Sequence, residues 1–243
     1  MPDTATPELI RTVFDDLPLK IRYLPGTSAT LVVSFAGVGS VRHEEPPPEF
    51  VETASDNGIN HVLFVTDIWR SWLNAPYMAE QIVETVESTK TRISARRVVM
   101  VGNSMGGFSA LRIARLMPVD AVAAFSPQYS PDPLLVPDDR RWFYFRQKIR
   151  QFRFRRIDAL PEPPTMTYIF QGGTRSEAYH WRRFPFAENA DQYVFPGIGH
   201  NLAHHLKQRQ VLRPLVADII AGRRRRVRQR VKAHGGISRP FAT

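Results

Sequence analysis

The sequence predicts an α/β fold with a mostly parallel central sheet flanked by helices. Apolar runs rich in β-branched residues alternate with amphipathic stretches of helical period, which favours parallel strands joined by crossover helices. The runs predicted as strands are 19–24, 29–36, 61–66, 97–101, 120–125, 165–170 and 192–195. Helices are predicted near 50–57 and over 77–89, 105–117 and 202–220. We expect one domain over residues 1–221 with an insertion at 126–160, followed by a basic tail over 222–243.

Turn and spacing signals support these elements in chain order. Pro25-Gly26 ends the first strand, and Gly37-Val38-Gly39 follows the second. Three prolines at 46–48 lead into the first helix. In the helix at 77–89, apolar residues recur at amphipathic spacing, at Met78, Ile82, Val83 and Val86.

Composition narrows the class of protein. Of 243 residues 43% are hydrophobic, which indicates a globular chain with a sizeable core. The chain has no cysteine, which excludes disulfides, thiolate metal sites and cysteine nucleophiles. No secretory signal and no run of ~18 to 20 apolar residues is found, so we expect a cytoplasmic protein without a transmembrane segment.

The net charge of +10 is concentrated in two basic segments, residues 140–156 and 223–232. Such segments suggest a nucleic-acid or membrane partner. Nothing in them is suited to read bases, so we expect no sequence-specific nucleic acid. Residues 223–232 continue a predicted helix, and charge of this density near a chain end is usually a solvated or partly disordered extension.

A nucleophile elbow is predicted at residues 98–110, VVMVGNSMGGFSA. Gly102 to Gly106 fits G-x-S-x-G, an apolar run precedes it, and a plausible helix follows. Glycine on both sides permits the sharp turn that would present the Ser104 hydroxyl at a helix N-terminus. The motif predicts nucleophilic attack on an acyl carbonyl.

The order of these elements and the elbow resemble the α/β-hydrolase superfamily over roughly residues 19–221. The resemblance implies a chain order of Ser, then Asp or Glu, then His. It implies His200, in a glycine loop after the last strand, as general base. Glu177 occupies the loop after the seventh strand, where the family often has aspartate, and Asp132 after the sixth strand is the alternative acid.

The same resemblance implies an oxyanion hole. One donor is the amide of Met105, which follows the nucleophile. The other comes from Gly37 and Val38, in the place of the family's His-Gly motif, although Ala36 stands where many relatives have histidine. No cofactor and no metal are required.

Two segments are candidates for substrate contact. The loop after the third core strand carries Trp69, Arg70 and Trp72, which form a substrate wall or close the core. Residues 126–160 lie where relatives insert a cap, and their aromatic residues, Trp142 among them, alternate with Arg and Lys. An amphipathic cap would cover the site with its aromatic face and turn its charges outward. Alternatively, inward-facing arginines would bind an anionic group of the substrate.

These features predict a serine hydrolase that acts on a small-molecule ester or thioester through an acyl-enzyme, with transfer to another acceptor as a variant. The alternative is a non-catalytic protein of the same fold. Its basic cap and tail would bind a membrane surface or a polyanion.

Overall fold

The structure is a computed structural model that describes residues 9–239. Nine strands in this range form one sheet: β1 (Arg11–Asp16), β2 (Leu19–Leu24), β3 (Thr30–Phe35), β4 (His61–Asp67), β5 (Arg97–Asn103), β6 (Ala121–Phe125), β7 (Met166–Gly172), β8 (Ala190–Phe195) and β9 (Ile237–Ser238). Their order across the sheet is β1-β2-β4-β3-β5-β6-β7-β8-β9.

The six neighbouring strands from β4 to β8 run parallel. β1, β2 and β9 pair antiparallel at the two edges. Carboxyl ends of parallel strands meet at one edge of a sheet, and ligands bind there. The loops after β5, β7 and β8 therefore lie along the same edge.

Helices cover both faces of the sheet. The helices of the described residues are α1 (Val51–Ser55), α2 (Met78–Arg92), α3 (Met105–Ile113), α4 (Phe143–Arg146), α5 (Arg175–Trp181), α6 (Leu202–Gln208), α7 (Leu212–Ile220) and α8 (Arg224–Ala233). One core layer packs α2 and α3 against the sheet. The other packs α1, α6, α7 and α8 against the opposite face. Burial on both faces explains why the central strands read as continuous apolar runs.

The predicted α/β class and parallel sheet are confirmed, with differences at particular elements. β1 was not predicted, because RTVFDD is mostly exposed at the sheet edge and lacks apolar alternation. The helix expected over 202–220 is two helices. Pro214 has no N–H to donate to the carbonyl of Gln210, and Gln210 itself has a φ of 58°, so one continuous helix cannot form.

Residues 126–160, the cap segment, are largely irregular and contain only α4 among the described helices. The segment is anchored by buried apolar side chains, including Phe154 and Ile157. The amide of Ile157 donates to the carbonyl of Tyr129 over 2.8 Å, which ties the two ends of the segment together. Its position after β6 puts it over the edge where the parallel strands end.

The basic segment at 223–232 was expected to be a solvated extension, and the structure instead shows α8 packed on the domain. Val227 and Val231 are buried in the core layer that includes α7. Arg224 and Arg228 both pair with Asp191 on β8, at 2.8 Å. The amphipathic spacing of the two valines therefore decides that this segment packs on the domain, despite its high charge density.

Among residues 9–239, no helix has the length and apolar character to cross a membrane.

Candidate active site

The predicted nucleophile lies in a strained turn between β5 and α3. Ser104 has a φ of 58° and a ψ of −120°, and α3 begins at the next residue, Met105. Its amide donates to the carbonyl of Phe125 on β6 over 2.8 Å. Non-glycine residues are rarely found in this backbone region unless the surrounding structure holds them there, and such strain clusters at functional sites.

The two glycines of the motif are required by close backbone contact. A Cβ on Gly102 would lie 2.3 Å from the carbonyl carbon of Gly106, and one on Gly106 would lie 2.1 Å from the carbonyl oxygen of Phe35. No side chain is tolerated at either distance. The sequence signature thus reflects how tightly α3 packs on the ends of β3 and β5.

The Ser104 hydroxyl is held by a glutamine that the sequence did not single out. Gln128 Nε2 donates to Ser104 Oγ over 2.8 Å, and Gln128 Oε1 accepts from Trp72 Nε1 over 3.1 Å. All three side chains are buried. This donation leaves the proton of the Ser104 hydroxyl available for another acceptor.

His200 is presented by the loop between β8 and α6. This loop packs tightly on the end of β7, where a Cβ on Gly172 would lie 2.4 Å from the carbonyl oxygen of Gly199. His200 Nδ1 bonds Glu177 Oε2 at 3.2 Å. Its Nε2 is buried without a hydrogen-bond partner among residues 9–239, so no hydrogen bond joins it to Ser104 here.

Glu177 is almost fully buried in the first turn of α5, 1% exposed. Its other carboxylate oxygen forms an ion pair with Arg141 of the cap segment. Burial acts to raise the pKa of Glu177, but the His200 hydrogen bond and the His200 and Arg141 charges outweigh it and lower the pKa below its ordinary value. The carboxylate is therefore ionised and fit to orient an imidazole.

A second buried pair of histidine and carboxylate lies beside the first. His180 Nδ1 accepts from the amide of Tyr129 over 3.0 Å, so its Nε2 carries the proton and donates to Asp139 Oδ2 over 2.7 Å. Burial lowers the pKa of His180, with Asp139 opposing that shift only in part. Arg141 Nε donates to Asp139 Oδ1 over 2.8 Å, which links the two pairs.

Asp132, the alternative acid, is engaged elsewhere. It is buried, pairs with Arg155, and accepts from the amide of Leu134 over 2.8 Å. Its carboxylate has no bond to His200, whereas Glu177 has one. Of the two candidate carboxylates, the structure thus brings that of Glu177 to the imidazole of His200.

The candidate oxyanion donors differ in whether their amides already have a hydrogen-bond partner. The Met105 amide is among the first N–H groups of α3, which have no partner within the helix. The Gly37 amide donates to Glu49 Oε1 over 3.1 Å and is therefore occupied. Of the two candidate donors from that loop, this contact leaves the amide of Val38, the next residue.

The expected substrate wall is only partly an exposed surface. Trp72 is fully buried, and Arg70, 4% exposed, donates to the backbone carbonyls of Ile68 and of the loop after β3. Both side chains therefore stabilise the loops around the site and do not form an exposed wall for a substrate. Trp69 is exposed at its rim. Trp142 lies against His200, with ring centroids 4.8 Å apart.

No cluster of three or more metal-ligating side chains is found in residues 9–239. The polar groups assembled here are instead a hydroxyl, an imidazole, an ionised carboxylate and unpaired amides. Such a set can carry proton transfer and nucleophilic attack without further groups.

Comparisons with known sequences and structures agree with the fold. A family model described as "Alpha/beta hydrolase family" matches residues 12–227. The chain belongs to that family. No curated protein sequence matches the chain. Family membership supports a hydrolase-type enzyme.

Solved structures with the same fold are distant in sequence. A mutant capsule O-acetyltransferase of Neisseria meningitidis serogroup A in complex with CoA is 10% identical, with a TM-score of 0.55 over 84% of this chain and 94% of that one. Proline iminopeptidase of Mycobacterium smegmatis is 14% identical, with a TM-score of 0.50 over 88% and 98%. An alpha-beta serine hydrolase homologue from Coxiella burnetii is 12% identical, with a TM-score of 0.51 over 85% and 94%. These likenesses show the shared fold.

Proposed function

We propose that the protein is a serine hydrolase that cleaves an ester or thioester, with Ser104 as nucleophile, His200 as general base and Glu177 as orienting acid. The observation that carries the proposal is the 3.2 Å bond between His200 Nδ1 and Glu177 Oε2, which leaves the opposite ring nitrogen without a partner. The strained backbone of Ser104 supports the same reading.

The geometry favours a defined path for the proton. An ionised Glu177 accepts from Nδ1–H, so His200 Nε2 carries a lone pair. Ser104 Oγ accepts from Gln128 and keeps its own proton for donation to that nitrogen. Catalytic hydrogen bonds are often formed only when substrate is bound, so we expect the bond from Ser104 Oγ to His200 Nε2 to form in the complex with substrate.

Acyl transfer then proceeds in two halves. Ser104 Oγ attacks the carbonyl carbon while His200 takes its proton, and the oxyanion accepts from the amides of Met105 and Val38. The C–O or C–S bond breaks, and the leaving alcohol or thiol takes the proton from His200. Water attacks the acyl-enzyme with His200 again as base, which releases the acid and restores Ser104.

A fluorophosphonate probe tests the nucleophile directly. We expect stoichiometric labelling of the folded wild type, none of Ser104→Ala, and wild-type labelling of Ser88→Ala, an exposed serine on α2. Hydrolysis of a p-nitrophenyl ester is expected to fall by on the order of 10³-fold or more in Ser104→Ala only. Equal hydrolysis by wild type and Ser104→Ala would refute the proposal.

One observation favours the non-catalytic alternative: Ser104 Oγ bonds Gln128 and not His200. On that reading the basic cap segment binds an anionic partner and the serine is inert. Absence of labelling in folded wild type, together with binding to a polyanion that weakens steeply with salt, is its signature.

A further inference from the structure

Two cavities adjoin each other between the cap segment and the loops that follow β3 and β4. The smaller, about 400 Å³, is lined by Val38 and Trp142. The larger, about 780 Å³, is lined by Trp69. Arg42, Tyr144 and Phe145 line both. The smaller cavity is bordered by Val38, a candidate oxyanion donor, and by Trp142, which contacts His200. A substrate whose reacting end approaches these residues would place its far end in the larger cavity.

The larger cavity has an unbalanced positive charge. Arg42, Lys148 and Arg150 line it, together with His43, and none of its lining residues is Asp or Glu. Other arginines of the cap segment are neutralised: Arg153 pairs with Glu80, and Arg155 with Asp132. Charges of one sign gathered without a counterion create a local potential that attracts anions.

Tyr144 holds two of these cations near each other. The Arg42 guanidinium lies 4.3 Å from the centre of its ring, and the Lys148 ammonium 3.9 Å. The hydrogen bond and charge of Lys148 lower the pKa of the Tyr144 phenol. Ring contacts of this kind offset part of the repulsion between the two cations, so both remain available to a ligand.

The positive cavity lies close to the candidate catalytic groups. Arg42 follows Val38 by four residues, a reach of at most about 14 Å for an extended chain. Tyr144 follows Trp142, which contacts His200, by two residues. Arg70 fixes the loop that carries Arg42 by donating to the carbonyls of Val38, Val41 and Glu44. The subsite is thus held at a set distance from the oxyanion loop.

We propose that the larger cavity binds a phosphate or diphosphate group, so that the substrate is a phosphate-bearing ester or thioester. A multiply charged anion matches three convergent cations better than a single carboxylate, and guanidinium presents paired donors to phosphate oxygens. Trp69, 57% exposed, offers a flat apolar face to the part of the ligand next to the phosphate. The identity of the substrate rests on the ester-cleaving function proposed above, whereas the binding of phosphate does not.

Calorimetric titration with inorganic pyrophosphate tests the subsite without catalysis. Ser104→Ala is titrated alone and combined with Arg42→Ser and Lys148→Ser. The matched control combines Ser104→Ala with Lys207→Ser and Arg209→Ser, which removes one lysine and one arginine exposed on the other side of the domain. We expect saturable binding that weakens at least about tenfold in the first combination and stays unchanged in the control. No saturable binding, or equal loss in both, overturns the proposal.

A pair of thioesters tests the substrate class. S-acetyl-4′-phosphopantetheine and S-acetylpantetheine share the reacting group and differ by a single phosphate. We expect the ratio of their kcat/KM values to fall about tenfold when Arg42 and Lys148 are both replaced by serine. An unchanged ratio overturns the assignment of the phosphate to this cavity. If Ser104 proves inert to the fluorophosphonate probe, the proposed function fails while the pyrophosphate titration still decides the subsite.

Discussion

Arg141 of the cap segment joins two buried pairs of histidine and carboxylate. Its guanidinium pairs with Glu177, which bonds His200, and with Asp139, which bonds His180. A residue of the irregular segment therefore holds the acid of the candidate triad. Placement of the cap segment and orientation of the imidazole are coupled through this one side chain.

Replacement of Arg141 by methionine is expected to lower kcat about tenfold, with a smaller effect on KM, because Glu177 loses the partner that fixes its carboxylate. Arg141 also lowers the pKa of Glu177. Without it that pKa rises, and the acidic limb of the pH–rate profile moves to higher pH. The profile of ester hydrolysis measures this shift.

Arg156→Met is the control for that experiment, since Arg156 is an exposed arginine of the same segment. Its profile is expected to match wild type. A loss of kcat in Arg141→Met with no movement of the acidic limb would contradict a role through Glu177.

The choice between the two acids is tested by isosteric amides. Glu177→Gln is expected to lower kcat by on the order of 10³- to 10⁴-fold, because an amide cannot stabilise the charged imidazole and permits the wrong tautomer. Asp132→Asn is expected to stay within about threefold of wild-type kcat while lowering the melting temperature, since Arg155 loses its buried counterion. The reverse pattern would assign the acid to Asp132.

The features that could be predicted from the sequence are those that produce a local pattern of residues. Central strands buried on both faces are continuous apolar runs, and the elbow glycines mark contacts too close for a Cβ. The placement of Glu177 after β7 and of His200 after β8 follows from strand order, because parallel strands end at one edge. These features depend on neighbours in the chain or on a fixed topology, and so they could be found without coordinates.

What the sequence did not predict depends on the path of the irregular cap segment. Gln128, Asp139 and Arg141 lie in it without periodicity, and their partners, Ser104 and two residues of α5, are distant in the chain. Nothing in the local sequence indicated that Glu49 would accept a hydrogen bond from the Gly37 amide. Such pairings follow from tertiary packing, which a single sequence does not encode in any local pattern.

The elbow packing is tested by two alanine substitutions. Gly106→Ala forces a Cβ against the carbonyl oxygen of Phe35, 2.1 Å away, and is expected to cost about 3 kcal/mol or more of unfolding free energy. Gly58→Ala meets no atom within 4 Å but has a φ of +82°, so only backbone strain of ~1 to 2 kcal/mol is expected. Urea unfolding compares the two. A Gly106→Ala protein as stable as Gly58→Ala would show that α3 can move away from β3.

We expect Glu49 to make the stability of the protein depend on pH through its contact with the loop that carries Gly37 and Val38. Its Oε1 accepts from the Gly37 amide over 3.1 Å. Burial raises its pKa from about 4.5 to about 7, and the Gly37 bond opposes that shift only in part. Folding therefore favours the protonated carboxyl, and the stability it contributes is complete below about pH 4.5 and is lost as pH rises toward 7.

Glu49→Gln keeps an acceptor for the amide without the charge. We expect its unfolding free energy, relative to wild type, to increase between pH 4.5 and 7 and then level off, as measured by urea unfolding across that range. A difference that is constant with pH would mean that Glu49 titrates as an ordinary carboxyl.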